Sequence, residues 1–417
     1  MVSKLKILLS AYACEPNKGS EPEVGWKWAT TLSKLGHEVY VITRQNNKEN
    51  IENYLAKNKI QNLYFYYFDY PSWFLKIVKR KSRAYTHFYY LIWQFGIYFL
   101  AKSLVKKNKF NFIHHVTFCS IRYPSLLCLF NVPFIFGPAG GGETIPRHLR
   151  KNLPFIDRIN EFFRDISNCY IKISPLINLT FSKSSKIYVT SEESKRNIPS
   201  KYHFKTEILL ALATDNFFPF SNSDLKKKND FFHIYFCGRL IAWKGINLVL
   251  KTFSEIKKNN KNCILSIIGS RPNINKKELK QEMQVKKEMQ LLAKKKNIDE
   301  FIKWPILKRE ELFNYIKKCD LLLYPSMRDS GAYVVLEAMT YGIPTVGLNL
   351  GGPGQLLDNE CGVKIDVNYK NEDQIIAEMA KAINHLIKYP DKFNDKKIKT
   401  LKKAEEFSWK KKILKIY

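Results

Sequence analysis

Several features that would assign a chain at once to a class are absent from this sequence. None of the eight cysteines form a Cys-x-x-Cys pair, and no zinc-finger spacing occurs. The cysteines are scattered, and some stand in apolar segments, as Cys237 and Cys263 do. We therefore expect buried free thiols in a reducing compartment, and neither disulfides nor a metal centre.

Long apolar runs are also lacking. The longest candidate, residues 85–101, contains His87, Gln94 and Gly96, and it falls short of the ~20 clean apolar residues that a membrane span requires. The N-terminus enters the apolar segment 5–9 directly, without the basic and then apolar leader of a secreted precursor. We expect a cytoplasmic protein.

Acidic residues are scarce relative to basic ones. The 417-residue chain has 69 Lys and Arg against 38 Asp and Glu, a formal net charge of +31. Three interpretations compete: nucleic-acid binding, attraction to an anionic membrane face, and composition drift on a solvated surface. The lysines are spread along the chain, and no RNA-binding aromatic motif occurs, which disfavours nucleic acid and leaves the other two open.

One segment, Phe74 to Arg83, mixes basic residues with Phe, Leu, Ile and Val. This pattern suits an amphipathic helix lying in the plane of an anionic membrane, at the inner face of the cell membrane. It is equally typical of a core helix with a solvated basic face.

Alternating apolar strands and amphipathic helices run through most of the chain. This alternation predicts an α/β protein with two successive doubly wound parallel sheets, which face each other across a central cleft. Ligands of such folds bind at the carboxyl ends of the strands. We predict an N-terminal domain over residues 1–215, a linker over 216–230, a second domain over 231–395, and a C-terminal helical segment, 396–417, that packs back across the lobes.

Two acids lie between the apolar strands at 321–324 and 345–348. Asp329 falls in a loop, and Glu337 falls within a helix rich in Val, Leu, Ala and Met. A charge in such surroundings is costly unless donors or a cation meet it. Glu337 is therefore either a ligand for two ribose hydroxyls or an ordinary buried acid satisfied by backbone amides.

Two cations, Arg239 and Lys244, follow the strand at 233–236 and precede a helix. Arg supplies forked donors and Lys a point charge, so together they suit a diphosphate; the alternative is a pair of solvated surface cations. Gly238 and the later Gly351 and Gly352 let the backbone approach a ligand closely.

The N-terminal half offers weaker candidates. The loop at Gly19 precedes a helix N-terminus, which favours anions, although a simple turn has the same sequence. Neighbouring His114 and His115 lie on one strand and so point to opposite faces, and a core histidine is the alternative for either. The run Gly140 to Gly142, followed by Glu143, permits close approach of an acceptor.

Together and in this order, these loops resemble glycosyltransferase family 4, the retaining enzymes of GT-B fold with two Rossmann-like domains. The resemblance covers nearly the whole chain. The matching elements are Gly19-Ser20-Glu21, Gly36-His37-Glu38-Val39, Gly238-Arg239-Leu240 with Lys244-Gly245, Asp329 through Glu337 with Gly342-Ile343-Pro344, and Gly351-Gly352 with Gly362.

The resemblance implies roles residue by residue. The family's Arg and Lys hold the donor diphosphate, its second acid binds ribose, and its first acid lies near the donor sugar. Two departures stand out: Asp329 replaces the usual Glu, and Ser330-Gly331-Ala332 replaces the usual Gly-Phe-Gly. The implied catalytic residues are Arg239, Lys244, Asp329 and His115, favoured over His114. The implied donor-binding residues are Gly19, Gly238, Arg239, Lys244, Gly331, Glu337, Gly351 and Gly352. The acceptor-binding candidates are Gly141, Gly142, Glu143 and His114.

The implied reaction is transfer of a sugar, with retention, from a nucleotide diphosphate sugar to a glycan or lipid-linked glycan in bacterial surface polysaccharide synthesis. The nucleotide sugar is a co-substrate, and neither a tightly bound cofactor nor a metal is expected. The rivals are an epimerase or phosphorylase on the same fold, and an inactive relative that binds membrane or nucleic acid. An inactive relative should have lost Arg239, Lys244 or Glu337, and all three are present.

Overall fold

The computed structural model describes residues 4–74, 83–218, 231–269 and 276–417. Its strands are β1 (Lys6–Ala11), β2 (Glu38–Arg44), β3 (Leu63–Phe68), β4 (Phe112–Thr117), β5 (Phe134–Ala139), β6 (Ser184–Val189), β7 (Thr206–Ile208), β8 (Phe232–Cys237), β9 (Cys263–Ile268), β10 (Ile302–Lys303), β11 (Leu321–Tyr324), β12 (Thr345–Leu348) and β13 (Gly362–Ile365). Its α-helices are α1 (Ser20–Lys34), α2 (Lys48–Lys57), α3 (Arg83–Lys107), α4 (Phe155–Ile173), α5 (Pro175–Lys183), α6 (Glu192–Asn197), α7 (Ile246–Asn259), α8 (Lys276–Lys295), α9 (Arg309–Ile316), α10 (Tyr333–Thr340), α11 (Gly351–Leu356), α12 (Glu372–Lys388), α13 (Pro390–Ala404) and α14 (Trp409–Ile416).

The chain forms two compact units. The first contains Met1–Gly142, Asp165–Ala213 and Trp409–Tyr417, and the second contains Glu143–Arg164 and Thr214–Ser408. Each unit therefore includes a segment that is remote from the rest of it in sequence. Most of the predicted linker, and most of the basic segment from Phe74 to Arg83, fall outside the described residues.

The first unit is built on a seven-stranded sheet in the order β3-β2-β1-β4-β5-β6-β7. All its pairings are parallel. β1 and β4 consist almost entirely of buried residues, as expected for central strands covered on both faces. The strand order reverses between β1 and β4, and a doubly wound sheet binds its ligands at such a reversal.

The C-terminal helix α14 packs within the first unit. The ring of Trp409 lies 6.1 Å from that of Trp28 on α1, and the Trp28 indole donates to the Tyr417 hydroxyl over 3.3 Å. Lys412 is buried and donates to the carbonyls of Leu210 and Leu212. Burial lowers the pKa of this amine to about 7, and these contacts attach the chain end to the β7 side of the sheet.

The second unit is built on a six-stranded parallel sheet in the order β10-β9-β8-β11-β12-β13. Helix α7 buries its apolar side chains, namely Ile246, Val249, Leu250, Phe253 and Ile256. Its strand order reverses between β8 and β11. The carboxyl ends of β8, β11 and β12 are therefore adjacent at one edge of the sheet.

The predicted α/β class with two parallel, Rossmann-like sheets is confirmed. The strands β7 and β10 are short, at three and two residues, and Pro305, which cannot donate to a ladder, follows β10 closely. The 19-residue helix α4 was not predicted. Among the described residues, no helix has both the length and the apolar character needed to cross a membrane.

Candidate functional site

The carboxyl ends of three adjacent strands carry the predicted residues of the second unit. The loop after β8 holds Arg239 and Lys244, the loop after β11 holds Asp329, and Gly351 follows β12. The topology thus brings together side chains that are up to 112 residues apart in the sequence (351 − 239).

The centre of this region is a contact between Lys244, Asp329 and Tyr324. The Lys244 ammonium lies 2.5 Å from Asp329 Oδ2 and donates to the Tyr324 hydroxyl over 2.7 Å. The Tyr324 hydroxyl in turn donates to the same carboxylate oxygen over 2.6 Å. Tyr324, the last residue of β11, was not predicted as a site residue, although its polar end at a strand terminus was a usable signal.

The Asp329 carboxylate is ionised although only 16% of its side-chain surface is accessible. Burial alone would raise its pKa, but the charge of Lys244, the hydrogen bonds from Lys244 and Tyr324, and the backbone amide of Ala332 outweigh burial and hold the pKa below its usual value. The amide of Gly331 also donates to Asp329 Oδ1 over 3.2 Å. This carboxylate is therefore a fixed negative charge whose oxygens are already occupied.

Arg239 is held by two carboxylates of α8. Its Nη2 lies 3.2 Å from Glu278 Oε1, and its Nε lies 3.4 Å from Glu282 Oε1. The guanidinium remains about one third exposed. Arginine has five N–H donors, so these two contacts leave donors for a further anion.

Two glycines allow the loops to approach one another. Gly245 begins α7 in the left-handed region, with φ 78°, and a Cβ there would overlap the carbonyl oxygen of Pro325. Gly351 has φ 53°, and a Cβ there would overlap the carbonyl oxygen of Asp329. The amide of Gly352 donates to that same oxygen over 2.6 Å. The Gly351–Gly352 turn thus packs against the backbone of Asp329.

The departure from the family pattern at residues 330–332 has a visible backbone consequence. Ala332, which begins α10, adopts the left-handed conformation with φ 52°, a region that favours glycine. Gly331, between Ser330 and Ala332, has no atom closer than 3.6 Å to the position of an added Cβ. The tight backbone position in this loop is therefore that of Ala332.

Glu337 on α10 is partly exposed, with 26% of its side-chain surface accessible. Its Oε1 lies 3.4 Å from Nη2 of Arg309, the first residue of α9. The carboxylate is therefore only partly buried, and a cation lies beside it. The ribose role of Glu337 stays a prediction.

A second ion pair supports the Asp329 loop and was not predicted. Arg328, the residue before Asp329, forms an ion pair with the buried Glu161 of α4, and its guanidinium lies 4.5 Å from the centre of the Trp243 ring. Glu161 also accepts from the amide of Ile145 over 2.8 Å. No sequence signal links α4 to this loop, because the two lie 167 residues apart.

Both histidines of β4 are buried in the first unit. His114 is hydrogen-bonded through Nδ1 to the Tyr417 hydroxyl and through Nε2 to the Gly137 carbonyl at 2.6 Å. His115 Nε2 lies 2.7 Å from the hydroxyl of Tyr90. Burial lowers the pKa of His114 to about 3 and that of His115 to about 4, so both imidazoles are neutral at pH 7.

The Gly19 loop and the glycine run form two further turns of the chain. Gly19 has φ 68° and precedes α1, whose partly buried Glu21 accepts from the amide of Phe118. Gly141 has φ 107°. The amide of Gly142 donates to Ser194 Oγ over 3.1 Å.

Glu143 belongs by its contacts to the second unit. Its side chain is buried, and its carbonyl accepts from Arg164 Nη2 over 2.8 Å. The acceptor roles of Gly141, Gly142 and Glu143 stay predictions.

Metal-binding side chains do not cluster in the part of the chain that the structure describes. No group of three or more His, Cys, Asp or Glu residues there is arranged to hold an ion. The local positive charge of the second unit's site is supplied by Arg239 and Lys244.

Comparison with known proteins identifies a family match and sequence relatives of this chain. Residues 218–400 match the family "Glycosyl transferases group 1". An uncharacterized glycosyltransferase of Haemophilus influenzae is 25% identical over 230 residues, covering 55% of this chain and 59% of that protein. Protein CapJ of Staphylococcus aureus is 26% identical over 149 residues, covering 35% and 33%. The matches thus span less than two thirds of these relatives.

Solved structures match the whole chain at low identity. A glycosyltransferase from Rickettsia africae has a TM-score of 0.59 at 14% identity, covering 99% of this chain and 96% of that one. Anabaena HepE, in complex with UDP and glucose, has a TM-score of 0.58 at 15% identity, covering 99% and 98%. These likenesses establish the fold. Residues 218–400 are therefore similar in sequence to the group 1 glycosyl transferases, and the chain as a whole has the GT-B fold.

Proposed function

We propose that this protein is a retaining glycosyltransferase of family 4 type, which moves a sugar from a nucleotide diphosphate sugar to an acceptor hydroxyl. The observation that carries the proposal is the cluster of Lys244, Asp329 and Tyr324 at the reversal between β8 and β11, with Arg239 on the same loop as Lys244. The group 1 sequence match over this unit supports it.

The two cations suit the leaving group of this reaction. Lysine has three N–H donors, and among the described residues Asp329 and Tyr324 accept two of those of Lys244. The third is available to a phosphate oxygen. Breaking the bond between sugar C1 and the diphosphate oxygen leaves the electron pair on the phosphate. Lys244 and Arg239 would stabilise the growing negative charge electrostatically.

Retention fits the state of Asp329. Three donors besides Lys244 already reach its carboxylate, from Tyr324, Gly331 and the Ala332 amide, which makes it a poor nucleophile. The acceptor oxygen would instead bond to C1 on the face that the diphosphate leaves. Its proton would pass to the departing phosphate oxygen, so that no covalent enzyme intermediate forms. Asp329 would fix Lys244 and lie near the donor sugar.

The proposed acceptor is a glycan or lipid-linked glycan of a bacterial surface polysaccharide. The high positive charge supports a cytoplasmic location at the inner, anionic face of the cell membrane. His115, neutral and hydrogen-bonded to Tyr90, would act as a hydrogen-bonding group and not as a cation.

The ribose assignment is tested with Glu337→Gln. An amide is a poorer acceptor than a carboxylate for two ribose hydroxyls, and hydrogen bonds to charged groups contribute about 1.5–3 kcal/mol, so nucleoside diphosphate affinity should fall about tenfold or more. Calorimetric titration measures it. Glu255→Gln, which alters another partly exposed acid on α7, is the control. Unchanged affinity in Glu337→Gln would contradict the assignment.

Activity is expected to survive chelation, because Arg239 and Lys244 supply the charge at the diphosphate. The measurement is product formation before and after EDTA treatment. A loss of activity that Mg²⁺ or Mn²⁺ restores would show that the reaction needs a metal.

An epimerase or a phosphorylase on the same fold is the alternative activity. A thermal-shift screen of nucleotide diphosphate sugars would first identify the donor. Incubating the protein with that donor, with and without acceptor glycans, then separates the reactions. Free nucleoside diphosphate together with an elongated glycan supports transfer, whereas an isomerised nucleotide sugar or a sugar phosphate supports the alternatives.

A further inference from the structure

Helix α4 has its amphipathic character reversed relative to an ordinary surface helix. Such a helix normally buries its apolar stripe and exposes its polar side chains. In α4 eight large apolar side chains are exposed, with accessibilities that include 71% for Ile156, 61% for Phe162 and 59% for Phe163. They recur at helical spacing along one face: Phe155, Ile156, Ile159, Phe162, Phe163, Ile166, Tyr170 and Ile173.

The polar face of α4 is turned inward and held there. Glu161 is buried against Arg328, Arg164 donates to the Glu143 carbonyl, and buried Asn168 accepts from Arg122 over 2.7 Å. These contacts fix the rotation of the helix, since rotating the apolar face inward would break them and leave buried polar groups unsatisfied. The exposed apolar face is therefore a built feature of the fold.

The exposed charges on α4 and on the segments that flank it in sequence, here called its rim, are of one sign. Every exposed charged side chain between residues 147 and 183 is basic, whereas the acids of α4 are buried or only partly exposed. The basic residues are Arg147, Lys151, Arg158, Lys172 and Lys183. A second copy of the chain placed on this face would bring two basic rims together, which is unfavourable. A bilayer with anionic headgroups complements both the apolar face and its rim.

We propose that the exposed face of α4 docks this protein onto an anionic membrane, with the helix lying in the plane of the interface. In this arrangement the apolar side chains enter the boundary between headgroups and acyl chains, and Arg158 and Lys172 remain at headgroup level. The surface is distinct from the segment Phe74 to Arg83, which the sequence pattern had indicated.

Docking on a membrane would bring the proposed active site close to a lipid-linked acceptor, and this part of the inference rests on the proposed function. Glu161 on the inner face of α4 contacts Arg328, the neighbour of Asp329. A helix with its side chains is about 10 Å across. The Asp329 loop would therefore lie about one helix diameter from the proposed membrane face, within reach of an acceptor held by its lipid.

The test is co-sedimentation of the full chain with vesicles of phosphatidylcholine and phosphatidylglycerol in equal parts. The variant Ile156→Gln/Phe162→Gln/Phe163→Gln should lower the partition coefficient by about tenfold or more, because it removes three apolar side chains that would be buried in the membrane. A control variant, Leu291→Gln/Ile306→Gln/Tyr369→Gln, alters three scattered and equally exposed apolar side chains and should bind like the wild type.

A second variant separates charge from apolar insertion. Arg158→Gln/Lys172→Gln should weaken binding to these vesicles and leave the weaker binding to pure phosphatidylcholine unchanged. Both sets alter exposed positions, and unfolding midpoints close to that of the wild type would verify that the fold is intact.

Three results would overturn the proposal: no binding by the wild type, equal binding by the α4 triple variant, or a wild-type dimer in solution that the triple variant dissociates. The last would assign the face to a second copy. Nucleoside diphosphate affinity, measured without vesicles, should be unchanged in the triple variant. If the wild type also failed to bind nucleoside diphosphate, the proposed donor chemistry would be rejected, and the vesicle-binding result would still hold.

Discussion

Replacing Lys244 by alanine is expected to lower turnover about 10²-fold or more, in line with the loss of one preorganised stabiliser of transition-state charge. The variant removes the cation that lies 2.5 Å from Asp329, so it also leaves a largely enclosed carboxylate without its main counter-charge. We therefore expect the pKa of Asp329 to rise and the protein to lose some stability. Turnover on the identified donor, measured well below the unfolding midpoint, separates the two effects.

The matched control for this variant is Lys258→Ala. Lys258 is on α7, the helix that follows Lys244, but it is exposed and pairs with Glu255 on the surface, and such pairs contribute about 1 kcal/mol or less. Its activity should equal that of the wild type. Near wild-type turnover in Lys244→Ala would mean that Lys244 does not stabilise the leaving diphosphate.

Replacing Gly351 by alanine is expected to reduce activity as severely, although this residue offers no side chain to a substrate. Its φ of 53° disfavours any Cβ, and the added Cβ would overlap the Asp329 carbonyl. A left-handed non-glycine residue costs roughly 1–3 kcal/mol, and the overlap must move the Asp329 loop. A displacement of about 1 Å at a reacting centre can cost about 10²-fold in rate.

Gly36→Ala provides the comparison for backbone strain alone. Gly36 also has a positive φ, of 93°, but no atom lies within 4 Å of the added Cβ. This variant should lose stability in urea unfolding and keep its turnover. If Gly351→Ala also lost only stability, the packing of the glycine turn on Asp329 would have no part in catalysis.

The local sequence patterns predicted most of the strands and helices and the succession of two parallel sheets along the chain, although helix α4 was not predicted. Apolar runs ending in glycine-rich loops place chemistry at strand ends, because parallel strands direct their carboxyl ends to one edge. Gly238-Arg239 with Lys244, and Asp329 with Glu337, could be identified because each group is contiguous in the chain. That β8, β11 and β12 are neighbours at one edge is known only from the strand order of the folded sheet.

Tertiary structure alone decided which partner each charge has. Lys244 binds Asp329 and Tyr324, Arg239 binds two acids of α8, and Glu337 faces Arg309. These pairings join loops and helices that are distant in sequence. A sequence pattern gives the residue types, but not the helix rotations that decide in which direction each side chain points.

The orientation of α4 shows the same limit most clearly. Its sequence is amphipathic, and an amphipathic pattern by itself predicts an apolar face turned toward a core. Glu161 is buried against Arg328, and Asn168 is buried beside Arg122, which reverses that expectation. A buried charge or amide without a partner costs much free energy, whereas exposed apolar side chains are common on protein surfaces. The sequence by itself therefore determined that α4 has two faces, and only the packing of its polar face decided which one meets the surroundings.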